Sequence, residues 1–107
     1  MRADLEREHK LSQIVISEDE EWDGWWHLVS YDIPNIYKKS RDLLRSHLER
    51  LGFKRVQESL WVFPYECQEE IALIANEISV SNNIIYMSTE KLPNEESLKA
   101  YFGLDED

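Results

Sequence analysis

The stretch Trp25-Trp26-His27-Leu28-Val29-Ser30-Tyr31-Asp32 decides how this chain folds. Aromatic and β-branched residues dominate it. The turn signal Trp22-Asp23-Gly24 precedes it and Pro34-Asn35 closes it, so it reads as a strand. Alternation puts Trp25, His27, Val29 and Tyr31 on one side and Trp26, Leu28 and Ser30 on the other. Both sides are largely apolar, and such a strand must be covered on both. A two-layer domain supplies one cover from its own helices, and the expected second cover is another copy of the chain. Trp26, Leu28, Ser30 and Tyr31 are accordingly the expected dimer interface.

Outward from that strand, Ile36, Tyr37, Ser40, Leu43, Leu44, His47, Leu48 and Leu51 recur at helical spacing, and Gly52 is the expected stop. The residues 53–57 and 59–63 are two β-type runs around Glu58, read as a hairpin or one bent pair, and Pro64 ends them. Cys67, Ile71, Ile74, Ala75 and Ile78 mark a second amphipathic helix. Asn82-Asn83 turns into a strand over 84–89, and Pro93-Asn94 opens a last short helix with Leu98, Tyr101 and Phe102 as its apolar side. The order is β-α-β-β-α-β plus a terminal helix. With right-handed crossovers this is an α+β, ferredoxin-like fold with a four-stranded antiparallel sheet. Residues 1–21 are polar apart from Ile14-Val15-Ile16, and read as a tail or linker remnant, or as the end of a preceding helix; 22–107 read as the folded domain.

At 107 residues with 42% hydrophobic content, the chain fits one domain with one core. Its net charge of −10 argues against a protein that coats nucleic acid or anionic lipid. The charge is unevenly spread, however, and one region is basic. Seven of the twelve Lys and Arg lie between Lys38 and Arg55 with only Asp42 and Glu49 as acids, so this window carries +5 and the rest −15. Cys67 is the only cysteine, which excludes an intramolecular disulfide and a cysteine zinc cluster. The charged start is no signal peptide and no apolar run has spanning length, so the cytoplasm is the expected address.

Two stretches carry a resemblance. The first is Trp22-Asp23-Gly24-x-Trp26-x-Leu28-Val29-x-x-Asp32-Ile33-Pro34. The second runs from Arg41-Asp42-x-Leu44-Arg45-x-x-Leu48-x-x-Leu51-Gly52-Phe53 to Gln57-x-Ser59-x-Trp61-Val62-x-Pro64-Tyr65. Together they resemble the central domain of the PaaX family of phenylacetic-acid-catabolism transcription repressors. That domain is itself similar to the Cas-two family of small CRISPR adaptation proteins. The match covers roughly residues 22–104. It implies a ferredoxin-like homodimer, either the dimerisation domain of a transcription regulator or a CRISPR adaptation scaffold that bridges two copies of an integrase and grips double-stranded DNA. The stretch holds neither the winged-helix reader nor the C-terminal domain of those repressors.

The resemblance also places Asp32 where Cas-two proteins keep an aspartate that faces its symmetry mate and holds a divalent metal. On that reading the chain is an endonuclease using Mg²⁺ or Mn²⁺, with Asp32 as catalytic residue and metal ligand. Two close carboxylates repel unless a proton or cation joins them, and such a metal would activate water and neutralise phosphate charge. The bland alternative is a turn-forming aspartate bonded to the backbone two residues on. Ser30 and Tyr31 flank it as candidates to orient water. Lys38, Lys39, Arg41, Arg45, Arg55 and Gln57 are the expected nucleic-acid contacts, against a solvated helix face with an ordinary Arg45–Glu49 pair. His27 and His47 read as packed histidines, His9 lies in the tail, and Cys67 reads as packing.

Overall fold

The computed structural model describes residues 10–18 and 21–104; of the expected tail at 1–21, residues 1–9, Asp19 and Glu20 lie outside the described residues, as do 105–107 of the expected domain at 22–107. Four strands, β1 (Trp26–Tyr31), β2 (Lys54–Gln57), β3 (Leu60–Phe63) and β4 (Ile84–Thr89), form one sheet in the order β2-β3-β1-β4. All three pairings are antiparallel. Helices α1 (Lys38–Leu51) and α2 (Gln68–Glu77) are the two crossovers, and α3 (Glu95–Phe102) ends the domain. This is the ferredoxin-like α+β arrangement that the element order implied. No helix among the described residues is long and apolar enough to cross a membrane.

The main core forms where Val29 and Tyr31 of β1 and Trp61 and Phe63 of β3 meet the inner faces of both helices. Those faces are Leu44 and Leu48 from α1, and Ile71, Ile74 and Ala75 from α2. Gly52 stops α1 at φ +100°, a backbone state that costs a side-chain residue energy. Its position is doubly restricted, because a Cβ there would lie 3.2 Å from Cε1 of Phe63. The N–H of Phe53 then closes onto the carbonyl of Leu48 at 3.0 Å, satisfying one of the helix's orphan acceptors.

The sheet's second face corrects the expected cover. Trp26, Leu28 and Val62 pack there against Leu98 of α3, with Trp22, Leu60, Leu92 and Phe102 around them. Trp26 is 0% exposed, and its indole N–H donates to Oε1 of Glu95 at 3.0 Å. That hydrogen bond, with the Lys99 ammonium 3.4 Å from Glu95, holds the Glu95 carboxyl below its ordinary range. The chain's own last helix, not a second copy, thus covers Trp26 and Leu28. Tyr31 is no surface residue either: it is buried on the α1/α2 side, its hydroxyl donating to the carbonyl of Glu58 at 3.4 Å. Of the four expected interface residues, Ser30 alone is left half-exposed. It pairs across the sheet with Ile85, which is 62% exposed, and Leu28 pairs with Met87, 41% exposed. The uncovered part of this face therefore lies toward β4.

Within the stretch expected as a tail, Leu11 is 1% exposed and joins the main core, with Ile14 and Ile16 packed against it. Arg50 donates to the carbonyls of Leu11 and Ile14 at 3.0 and 2.9 Å. A residue counted in the basic window is in fact a fastener.

Replacing Leu98 with alanine should lower unfolding stability by about 2–5 kcal/mol, the usual cost of a cavity in a packed site. Leu98→Asp should detach α3, shift tryptophan emission to the red by wetting Trp26, and lower the melting temperature. An unchanged emission maximum in the Leu98→Asp protein would mean that α3 does not shelter Trp26.

Candidate functional site: an arginine-lined cleft around Asp32

Strand β1 ends at the rim of the main core, and three elements meet there: the 3₁₀ turn Asn35–Tyr37, the first turns of α1, and the β2–β3 hairpin turn. They enclose a cleft of about 370 Å³ lined by Asp32, Asn35, Arg41, Arg45, Arg55, Glu58 and Ser59, with Tyr31 and Ile33 beneath. Arg41 and Arg45 stand four residues apart, so one helix face presents both to it. Arg55 reaches it from the neighbouring hairpin.

Each guanidinium is held differently. Arg41 donates from Nη1 to Oδ1 of Asn35 at 3.0 Å, while its Nε is buried without a partner. An unsatisfied buried donor is costly, and a charged one more so. Arg45 lies 3.9 Å from Asp42, a loose pair that replaces the expected one with Glu49 and leaves most of its fork unused. Arg55 donates through Nε and Nη2 to the carbonyl of Glu58 at 3.0 and 2.7 Å and lies over the Trp61 ring at 5.8 Å. Its first role is to close the hairpin turn.

The Asp32 carboxylate makes no hydrogen bond or ion pair among the described residues. Its backbone is fixed instead: the N–H donates to Asn83 O at 2.9 Å and the carbonyl accepts from Nδ2 of Asn83 at 3.0 Å. The bland alternative fails on covalent grounds, since the residue two positions on is Pro34, which has no N–H. Asp32 thus carries an exposed carboxylate on a fixed backbone at a positive cleft. No group of three or more His, Cys, Asp or Glu able to hold a metal ion occurs among the described residues. Two carboxylates, Asp32 and Glu58, the latter 3.5 Å from Nη2 of Arg55, among three guanidiniums are a poor donor set for a divalent cation. The Tyr31 hydroxyl, beneath the cleft, donates to the carbonyl of Glu58 at 3.4 Å and accepts from Nε1 of Trp61 at 3.4 Å.

The remaining expected contacts lie elsewhere. Lys38 and Lys39 line a groove on another side of α1 with Asp42, Leu43 and Ser46. Lys38 is bound to Asp42 at 2.8 Å, and that hydrogen bond draws the Asp42 carboxyl below its ordinary range. Gln57 lines a groove with Leu28, Leu60 and α3 residues on the sheet's second face. Asn35 and Ser59, read in the sequence as turn and hairpin residues and not as site residues, complete the cleft.

The other titratable groups are structural. Burial pushes the Cys67 thiol up to about 12, so it is inert at neutral pH, and its backbone N–H donates to the Tyr86 hydroxyl at 3.0 Å. That hydroxyl also meets Nδ1 of His27 at 2.9 Å, with Ser88 Oγ at 3.0 Å, while Nε2 of His27 is buried without a partner. Burial lowers the His27 pKa, so the ring is neutral at pH 7, offset in part by Asp23 and Glu66. His47 lies beside Arg50 Nη2 at 3.2 Å.

Two comparisons bear on this geometry. The family model described as PaaX protein central Cas2-like domain matches residues 19–100, more than three quarters of the chain. No curated protein matches it.

His27 carries a pH prediction. Its ordinary value is 6.5 and the folded value is lower, so below pH 6.5 the unfolded chain takes a proton that the folded one refuses. The urea midpoint should fall between pH 7.5 and 5.5, and His27→Gln should flatten that fall. Equal falls in the two proteins would place the acid sensitivity in other groups.

Proposed function

The chain belongs to the PaaX central Cas2-like domain family, and from that premise we propose that it grips the phosphate backbone of DNA through the Arg41–Arg45–Arg55 cleft, as a homodimeric, non-catalytic domain of transcription-regulator type. The observation that carries this reading is the convergence of three guanidiniums from two separate elements on one cleft. Planar forks suit phosphate oxygens bidentately. The buried, unpartnered Nε of Arg41 marks a guanidinium whose donors the fold does not exhaust. The acidic remainder of the body repels a polyanion everywhere else, so approach is steered to this face. Asp32, at the end of the cleft, pushes phosphates toward the arginines and fixes where along the backbone they sit. The same surface would serve a scaffold beside an integrase, which is the CRISPR form of this reading.

A homodimer has its support in the strip of Ser30, Ile85 and Met87, which α3 leaves open. Exposed apolar residues on an edge strand invite a partner.

Binding to labelled double-stranded DNA should be measurable at 50 mM salt and weaken steeply by 200 mM. Arg41→Ala and Arg45→Ala should each reduce the slope of log affinity against log salt by about 1. Slopes that stay at the wild-type value would remove the cleft from DNA contact.

The rival reading is a Mg²⁺- or Mn²⁺-dependent endonuclease, favoured by the unpaired carboxylate of Asp32 in the same cleft. Glu58, the other carboxylate lining the cleft, lies 3.5 Å from Arg55, so on this reading a further carboxylate comes from a second copy. Sedimentation should show a dimer that Ile85→Lys with Met87→Lys converts to monomer. On the rival reading, that double variant and Asp32→Ala should both abolish Mn²⁺-dependent cleavage; cleavage surviving in both would belong to a contaminant.

A further inference from the structure

The 3₁₀ turn Asn35–Tyr37 puts two large apolar side chains in solvent: Ile36 is 83% exposed and Tyr37 57%. The turn is not loose. The N–H of Tyr37 donates to Pro34 O at 2.8 Å, and Arg41 ties Asn35 down at 3.0 Å. Asn35 is at once the base of this prong and a wall of the arginine cleft. The Tyr37 hydroxyl has no hydrogen-bond partner among the described residues. Tyr101, equally exposed at 57%, differs in lying beneath the Lys54 ammonium at 4.9 Å.

The surroundings decide what the prong meets. Lys38 and Lys39 follow it directly, and α1 has no acidic residue in its first turn. Cations at a helix N-terminus oppose the macrodipole; Lys38 is offset by its bond to Asp42 at 2.8 Å, whereas Lys39 has no ion pair among the described residues. Lys39 and the positive end of α1 follow this aromatic and aliphatic pair, and Asn35 at its base lines the arginine cleft, while Lys38 is engaged by Asp42. An apolar protein partner has no use for those cations. A nucleotide with its base exposed fits both parts: the phosphates meet the cations and the base plane lies on Tyr37.

We infer that Ile36 and Tyr37 form a prong that stacks on unpaired bases of a nucleic-acid strand whose backbone lies in the arginine cleft. The inference rests on the phosphate-binding reading and adds to it a preference for unpaired over fully paired strands. In a continuous duplex the bases are stacked on one another, and the prong has no face to meet. Ile36 packs beside the stacked base and keeps water from its edge.

The test uses two fluorescent probes at low salt, a 16-nucleotide single strand and the same strand fully paired with its complement. Wild-type protein should favour the single strand. Tyr37→Ala should weaken single-strand binding about tenfold or more while changing duplex binding little, and Tyr37→Phe should restore it, because stacking needs the ring and not the hydroxyl. Arg41→Ala with Arg45→Ala should weaken both probes. Tyr37 is exposed, so circular dichroism should report an unchanged fold in its variants. If the arginine variant weakens both probes and Tyr37→Ala changes neither, the prong is overturned and the cleft stands. If the wild-type protein binds neither probe, the cleft reading fails and the prong with it. If Tyr37→Ala or Ile36→Ala dissociates the dimer without touching nucleic-acid binding, a second copy covers the prong and the inference is wrong.

Discussion

One strand has to be buried on both faces, and everything else is arranged around that need. Trp26 and Val29 are both wholly inaccessible although their side chains leave β1 in opposite directions. Two helices meet the demand on one face. On the other, a single helix of eight residues does so, held by the Trp26–Glu95 hydrogen bond and the apolar contact of Leu98. Because β1 is central, its end is also where neighbouring elements converge, and the fixed backbone of Asp32 places a carboxylate among three arginines.

Charge is organised by the same geometry. The basic window lies on α1 and the hairpin, but its members do different work. Arg50 fastens the segment carrying Leu11, Lys38 answers Asp42, and Arg55 closes the hairpin turn. Arg41 and Arg45 remain the least committed guanidiniums in the cleft. An acidic body with two available guanidiniums presents a narrow electrostatic target, unlike the broad positive surface of a protein that coats nucleic acid.

Much of this was legible in the sequence. Period-2 alternation exposed the two-sided strand, and period 3.6 with Gly52 bounded α1 closely. Which body covers the second face was not legible. The apolar side of α3 was visible in Leu98 and Phe102, though Tyr101, read with them, is 57% exposed, and the face on which a short helix docks depends on the path of 90–94, which has no periodic signature. In the site, the pairing of Arg41 with Arg45 follows from helical spacing. The arrival of Arg55 and Ser59 depends on the hairpin folding back beside the end of β1, a tertiary fact. The freedom of the Asp32 carboxylate was readable in principle, because Pro34 has no N–H to offer it. The partners of His27 were also readable once β4 lay beside β1, since Tyr86 and Ser88 alternate toward it.

Phe102 packs against both apolar clusters, its ring 6.0 Å from Phe63 on the α1/α2 side and 6.1 Å from Trp26 on the other. A short helix at the end of a chain ordinarily frays first and exchanges its amide hydrogens quickly. This one is keyed into both layers by a single aromatic ring, so its opening disturbs the interior on each side of the sheet. Slow, concerted exchange reaching into the last helix is the dynamic signature of such a keystone. That keying ties α3 to both layers, and cooperative opening of the described domain is its expected consequence.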